Sequence, residues 1–107
     1  MSLTISVIQS ELLWENPAKN LELFSQKIVA IQENTDIIVL PEMFNTGFSM
    51  ESEKLAEKMN GETVSWMQQI AAQSNAVIVG SLIIQEQEEY YNRLIWAEPQ
   101  GEIYTYD

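Results

Sequence analysis

Asp36-Ile37-Ile38-Val39-Leu40-Pro41-Glu42-Met43-Phe44-Asn45-Thr46-Gly47-Phe48-Ser49-Met50 is the stretch of this 107-residue chain from which the fold is read. Four apolar residues in a row, Ile37 to Leu40, fit a strand covered on both faces. Pro41 has no N–H to give to a sheet ladder, so it ends that strand. Glu42 follows at once, and a loop with Asn45, Thr46 and Gly47 comes after it. Open α/β sheets bind ligands at the carboxyl ends of their strands. Partial desolvation there favours the neutral form of Glu42 and raises its pKa, which suits a general base working near neutral pH. The alternative is a carboxylate that caps the loop or pairs with a basic residue.

The flanking segments alternate strand and helix. Thr4 to Gln9, with Ile5 and Val7 alternating, reads as a first strand. Asn16-Pro17 offers an N-cap and a proline at the first helical position. Leu21, Phe24, Ile28 and Ile31 then lay an apolar stripe along a helix predicted to end near Asn34. After the long connection Met43 to Asn60, with a short helix expected around Ser52 to Met59, a second helix is predicted from Glu62 to Gln73 and stopped by Ser74-Asn75. Ala76 to Ile84 is the strongest strand signal, with Gly80 marking a bulge or a close backbone approach. A polar turn, Gln85 to Glu89, precedes two antiparallel strands, Asn92 to Ala97 and Glu102 to Tyr106. Glu98-Pro99-Gln100-Gly101 between them suits a type I turn. A β-α-β-α-β order closed by a hairpin implies an α/β sheet that begins parallel. The hairpin's last strand would be an uncovered edge, so the 107 residues read as an apparently truncated domain.

Composition narrows the chemistry. Five basic residues against 16 acidic ones give a net charge of −11, which disfavours nucleic acid and anionic membranes as partners. The acidic runs at 51–62 and 86–89 read as solvated surface. No apolar run approaches the roughly 20 residues of a membrane span, and the N-terminus has no basic n-region, so a cytoplasmic location is expected. With neither histidine nor cysteine, these residues hold no Ser-His-Asp or Cys-His arrangement, no disulfide and no His-based metal site. The four glycines form no phosphate-binding pattern. No cofactor and no metal are implied.

Leu40-Pro41-Glu42, the Thr46-Gly47-Phe48-Ser49-Met50 behind it, and Tyr91-Asn92-Arg93-Leu94-Ile95-Trp96-Ala97-Glu98-Pro99-Gln100-Gly101 about fifty residues on carry a resemblance. Together they look like the carbon–nitrogen hydrolase (nitrilase) superfamily, and the fuller loop resembles its bacterial omega-amidase branch. The resemblance runs along essentially the whole chain. It implies the N-terminal portion, residues 1–107, of a single domain whose fold is a four-layer α-β-β-α sandwich. It also implies a Glu-Lys-Cys triad in which the cysteine attacks an amide carbon, the glutamate is the general base and the lysine stabilises the tetrahedral intermediate. Only Glu42 carries over. The family's lysine is expected directly beyond Tyr104-Thr105-Tyr106-Asp107 and its cysteine farther on, so the isolated chain is expected to be inactive. The implied substrate is a small ω-amide such as 2-oxoglutaramate, with other amides, nitriles or carbamoyl compounds as alternatives. The implied assembly is a homodimer or a higher homo-oligomer.

Other residues carry two readings each. Phe44, Phe48 and Met50 line an acyl pocket beside Glu42 or anchor the loop to the core. Tyr91 and Asn92 approach the site, or Asn92 satisfies buried backbone at a strand start. Arg93, the single arginine, binds a substrate carboxylate or pairs with one of the many acids, the pairing being favoured. Trp14, Trp66 and Trp96 pack in the core or at a subunit interface, and Gln9 is a buried hydrogen-bonding residue. The rival from another class is a non-catalytic acidic interaction domain keeping part of the fold.

Overall fold

The structure, a computed structural model, describes residues 3–8, 17–31, 35–41 and 56–107. Strands β1 (Ile5–Val7), β2 (Ile37–Val39), β3 (Val77–Glu86), β4 (Glu89–Ala97) and β5 (Ile103–Tyr106) form one sheet in sequence order. β1, β2 and β3 are parallel, and β4 and β5 run antiparallel. Helix α1 (Pro17–Val29) links β1 to β2, and helix α2 (Glu62–Ser74) precedes β3. This is the predicted order with its parallel start.

Both helices cover one face of the sheet. Leu21, Phe24 and Ile28 of α1 and Val64, Met67, Ile70 and Ala71 of α2 pack on Ile38, Ile78, Leu82, Ile84, Ile95 and Ala97. Side chains alternate across a strand, so the other face receives Ile5, Val7, Val39, Val79, Leu94, Trp96, Tyr104 and Tyr106. Much of that face is open: Val7 is 65% exposed and Tyr106 76%. Ile37 and Val39 are accordingly only half-buried, short of the two-sided cover expected for β2.

The structure moves several boundaries. β3 runs on to Glu86 and β4 starts at Glu89, so the polar turn tightens to two residues, with Gln87 at φ 58°. Gly80 pairs with Ile95 in regular register, so it marks no bulge. The described end of the long connection is not helical. Glu57 makes an isolated parallel bridge to Ile84, donating to the Ile83 carbonyl and accepting from the Gln85 N–H. The turn from Glu98 to Gly101 forms as read, with the Gly101 N–H on the Glu98 carbonyl at 2.9 Å.

Glu57 also shapes α2. Its carboxylate accepts the Thr63 backbone N–H at 2.8 Å and the Thr63 hydroxyl, placing an acidic side chain on the helix's positive end. Asn75, left-handed at φ 53° and ψ 42°, ends the helix, as Ser74-Asn75 suggested. Gly61 sits where a Cβ would come within 2.9 Å of both the Glu57 Oε1 and the Lys58 carbonyl oxygen. The carbonyl is main chain and cannot swing aside. Gly61→Ala is expected to destabilise by about 1–3 kcal/mol, read by chemical denaturation; an unchanged midpoint would show that the turn yields freely.

Candidate active site

At the carboxyl end of β2 the Leu40 N–H donates to the Val79 carbonyl at 2.8 Å, and Pro41 is the last described residue before Glu42. The described chain resumes beside the same edge of β3, where the Glu57 N–H reaches the Ile83 carbonyl at 3.0 Å. The described residues on either side of 42–55, Leu40 and Glu57, thus both bond to β3, at Val79 and Ile83. Glu42, Phe44, Phe48 and Met50 lie outside the described residues, as do Gln9 and Trp14.

An open cleft of about 380 Å³ occupies this end of the sheet. Val39 and Leu40 line it from the β2 side, Val79, Gly80 and Ser81 from β3, Asn92 and Leu94 from β4, and Tyr106 and Asp107 from β5. A larger cavity of about 650 Å³ lies at the opposite end, against Thr35, Asp36, Ser74 and Asn75. Its one carboxylate, Asp36, accepts the Thr4 backbone N–H at 2.8 Å and serves the strand starts. Ligands of α/β sheets bind at the carboxyl ends, so the smaller cleft is the candidate site.

Behind the cleft, on the helix-covered face, Arg93 is buried at 8% exposure. Its Nε and Nη2 donate to the Asp107 carboxylate at 2.5 and 3.0 Å, and its Nη1 lies 2.7 Å from a Glu86 oxygen. The guanidinium stacks 5.1 Å from the centre of the Tyr91 ring, whose hydroxyl donates to Glu89 at 2.7 Å. Ion pairing is thus what the structure builds for Arg93, in place of a receptor for a substrate carboxylate. Asn92 is exposed on the open face and lines the cleft, beside the site rather than at the start of β4. Trp66 packs against the core and donates from Nε1 to the Ser25 hydroxyl at 2.8 Å, and Trp96 is half-buried on the open face.

Sequence reasoning missed Asp107 and Ser81 as cleft residues. A hairpin turning at Pro99-Gln100 sets Arg93 opposite Asp107, so register arithmetic from the turn was the available signal. Ser81, buried on β3, had no comparable sign.

The Arg93 hydrogen bonds hold the Asp107 carboxyl below its ordinary value of 3.8, and Asp107 and Glu86 together raise the Arg93 pKa. A carboxylate with a depressed folded pKa stabilises the fold at pH above its unfolded value, and that contribution is lost as pH falls through the folded one. The melting difference between the full-length protein and its Asp107→Asn variant is therefore expected to persist at neutral pH and to close below about pH 4. A difference independent of pH would rule the ion pair out as its cause.

Among the described residues no helix is long and apolar enough to cross a membrane, and no three His, Cys, Asp or Glu side chains cluster to hold a metal ion.

Residues 4–107 match the carbon-nitrogen hydrolase family. Over 105 residues the chain is 37% identical to the omega-amidase YafV of Escherichia coli, covering 98% of this chain and 40% of that protein. It is 26% identical to the 2-oxoglutaramate amidase of Bacillus subtilis, again over 105 residues and 40% of that protein's length. A CN-hydrolase superfamily protein from Xanthomonas campestris, solved with an arsenic adduct in its active site, superposes at a TM-score of 0.93 with 37% identity, covering 98% of this chain and 40% of that one. An amidase from Nesterenkonia, at 20% identity and a TM-score of 0.81, shares the fold. The chain spans about 40% of the length of the relatives it matches. Its α/β architecture is the N-terminal part of a four-layer α-β-β-α nitrilase-type sandwich, in which the open apolar face of the sheet is the one free to pack on a second sheet. The chain belongs to the carbon-nitrogen hydrolase family.

Proposed function

We propose that these residues are the N-terminal portion of a single-domain amidase that hydrolyses the ω-amide of a keto-dicarboxylic acid monoamide, such as 2-oxoglutaramate, to the acid and ammonia. The observation that carries this reading is the 37% identity to an omega-amidase along 98% of the chain. The placement of Leu40 in the cleft wall supports it, because Glu42 follows two residues on.

In this reading Glu42 is the general base, and the lysine and cysteine lie beyond Asp107. The cysteine thiol, relieved of its proton by Glu42, attacks the amide carbon. The C–N bond breaks, ammonia leaves with the returned proton, and a thioester remains. Water, deprotonated by Glu42, cleaves the thioester to release the acid and restore the thiol. Phe44 and Phe48 line the acyl pocket. Positions 41 and 106 lie three strand spacings apart, roughly 14 Å, a gap that inward-reaching side chains can close around a small amide. The 107 residues alone supply no nucleophile and are inactive in this scheme. The working enzyme is a cytoplasmic homodimer or higher homo-oligomer.

The test is ammonia release by the full-length protein from 2-oxoglutaramate, glutamine, an aliphatic nitrile and a carbamoyl compound in parallel. A kcat/KM at least tenfold higher for 2-oxoglutaramate is expected, about 1.4 kcal/mol of discrimination. Preference for the nitrile or carbamoyl compound would move the protein to another branch, and no turnover of any of them would sink the reading.

A further inference from the structure

Arg93 stands apart from what a core position needs. It follows the same alternation as Ile95 and Ala97, so an apolar side chain would serve packing there. Its carboxylate partners are about half exposed, at 55% and 43%, and ion pairs to such groups add little stability, so stability alone does not account for a guanidinium at a packing position. Its partners explain more. Glu86 closes β3 and Asp107 follows β5, so one rigid fork on β4 binds the ends of both neighbouring strands. Asp107 is also part of the cleft wall, whereas Arg93 does not line it. β5 is a four-residue edge strand, and short edge elements fray unless tied down.

We propose that Arg93 is a positioning residue of the amidase site: by gripping Asp107 and Glu86 at once, it fixes the course of the chain as it leaves β5 at the rim of the cleft. The proposal rests on the amidase reading, in which the triad's lysine is the next element of that chain. An ammonium cannot replace the fork, because it offers a point charge where two parallel N–H groups grip one carboxylate. A displacement of about 1 Å at a catalytic group can cost on the order of 10²-fold in rate. Arg93 therefore acts through Asp107 and touches no substrate.

The experiment uses the full-length enzyme with Arg93→Lys, Arg93→Met and Asp107→Asn. The last removes charge from a half-exposed carboxylate and preserves its shape, so it tests the tie even where Arg93→Met fails to fold. Two readouts are taken well below each melting temperature: kcat and KM for ammonia release, and hydrogen exchange at the amides of 104–107. The expected result is a loss of at least about tenfold in kcat for Arg93→Lys and Asp107→Asn, with KM within about threefold and faster exchange at 104–107. Unchanged kcat, with or without faster exchange, would overturn the proposal and leave Arg93 structural. If the wild-type enzyme turns over no ω-amide, the amidase reading fails separately. The exchange readout then decides alone: unchanged protection overturns the tie, and lost protection upholds it.

Discussion

Replacing Glu42 by glutamine in the full-length enzyme is expected to lower kcat for amide hydrolysis by about 10²- to 10⁴-fold, the span that general acid–base catalysis supplies. Glutamine keeps the size and the acceptor oxygen of the side chain but cannot take a proton. In the proposed cycle Glu42 is needed twice, to activate the thiol and to activate water, so the loss falls on kcat. KM is expected to stay within a few-fold, because the substitution leaves the shape of the cleft intact. Steady-state ammonia release with unchanged circular dichroism checks it. A loss confined to KM would assign Glu42 to binding. An unchanged rate would return it to the reading of Pro41-Glu42 as a strand stop followed by a loop cap.

The second large effect concerns stability. Phe24→Ala is expected to cost about 3–5 kcal/mol, because Phe24 is fully buried between α1 and the sheet and its removal leaves a cavity the surroundings fill only in part. Native proteins retain only about 5–15 kcal/mol in all, so much of the margin would go. Guanidinium unfolding of the full-length protein reads the loss. Val29 of the same helix is 78% exposed, and Val29→Ala is expected to stay within about 0.5 kcal/mol. Similar costs for the two positions would mean that α1 does not hold its apolar face against the sheet.

The helix stripes were legible because apolar spacing reports the buried side of a helix directly. Leu21, Phe24 and Ile28, predicted to share a face, are all in the core. The end of the strand at Pro41 was equally legible, since a missing N–H is a local property of one residue. The short helix expected at Ser52 to Met59 was not borne out in its described part, because Glu57 exchanges hydrogen bonds with β3, a partner about 26 positions away in the chain. Of the candidate site residues, Glu42, Phe44 and Phe48 rest on the sequence and the resemblance.

What the sequence by itself determined was the order of strands and helices, the parallel start, the turn at Pro99-Gln100 and the position of a carboxylate directly after a strand. These depend on periodicity, on missing donors and on turn chemistry, all of which act over a few residues. Only the tertiary structure decided which side of each strand is covered. Ile5 and Val7 read as the apolar side of a strand, yet both helices pack on the opposite face and leave them exposed, with Ser6 turned toward the helices. Arg93 reads as the partner of some acidic residue, yet only register and strand order select Glu86 and Asp107 for it and bury it. Burial depends on what a residue meets across the sheet, and a buried charge persists only where partners from other strands arrive in geometry to pair with it.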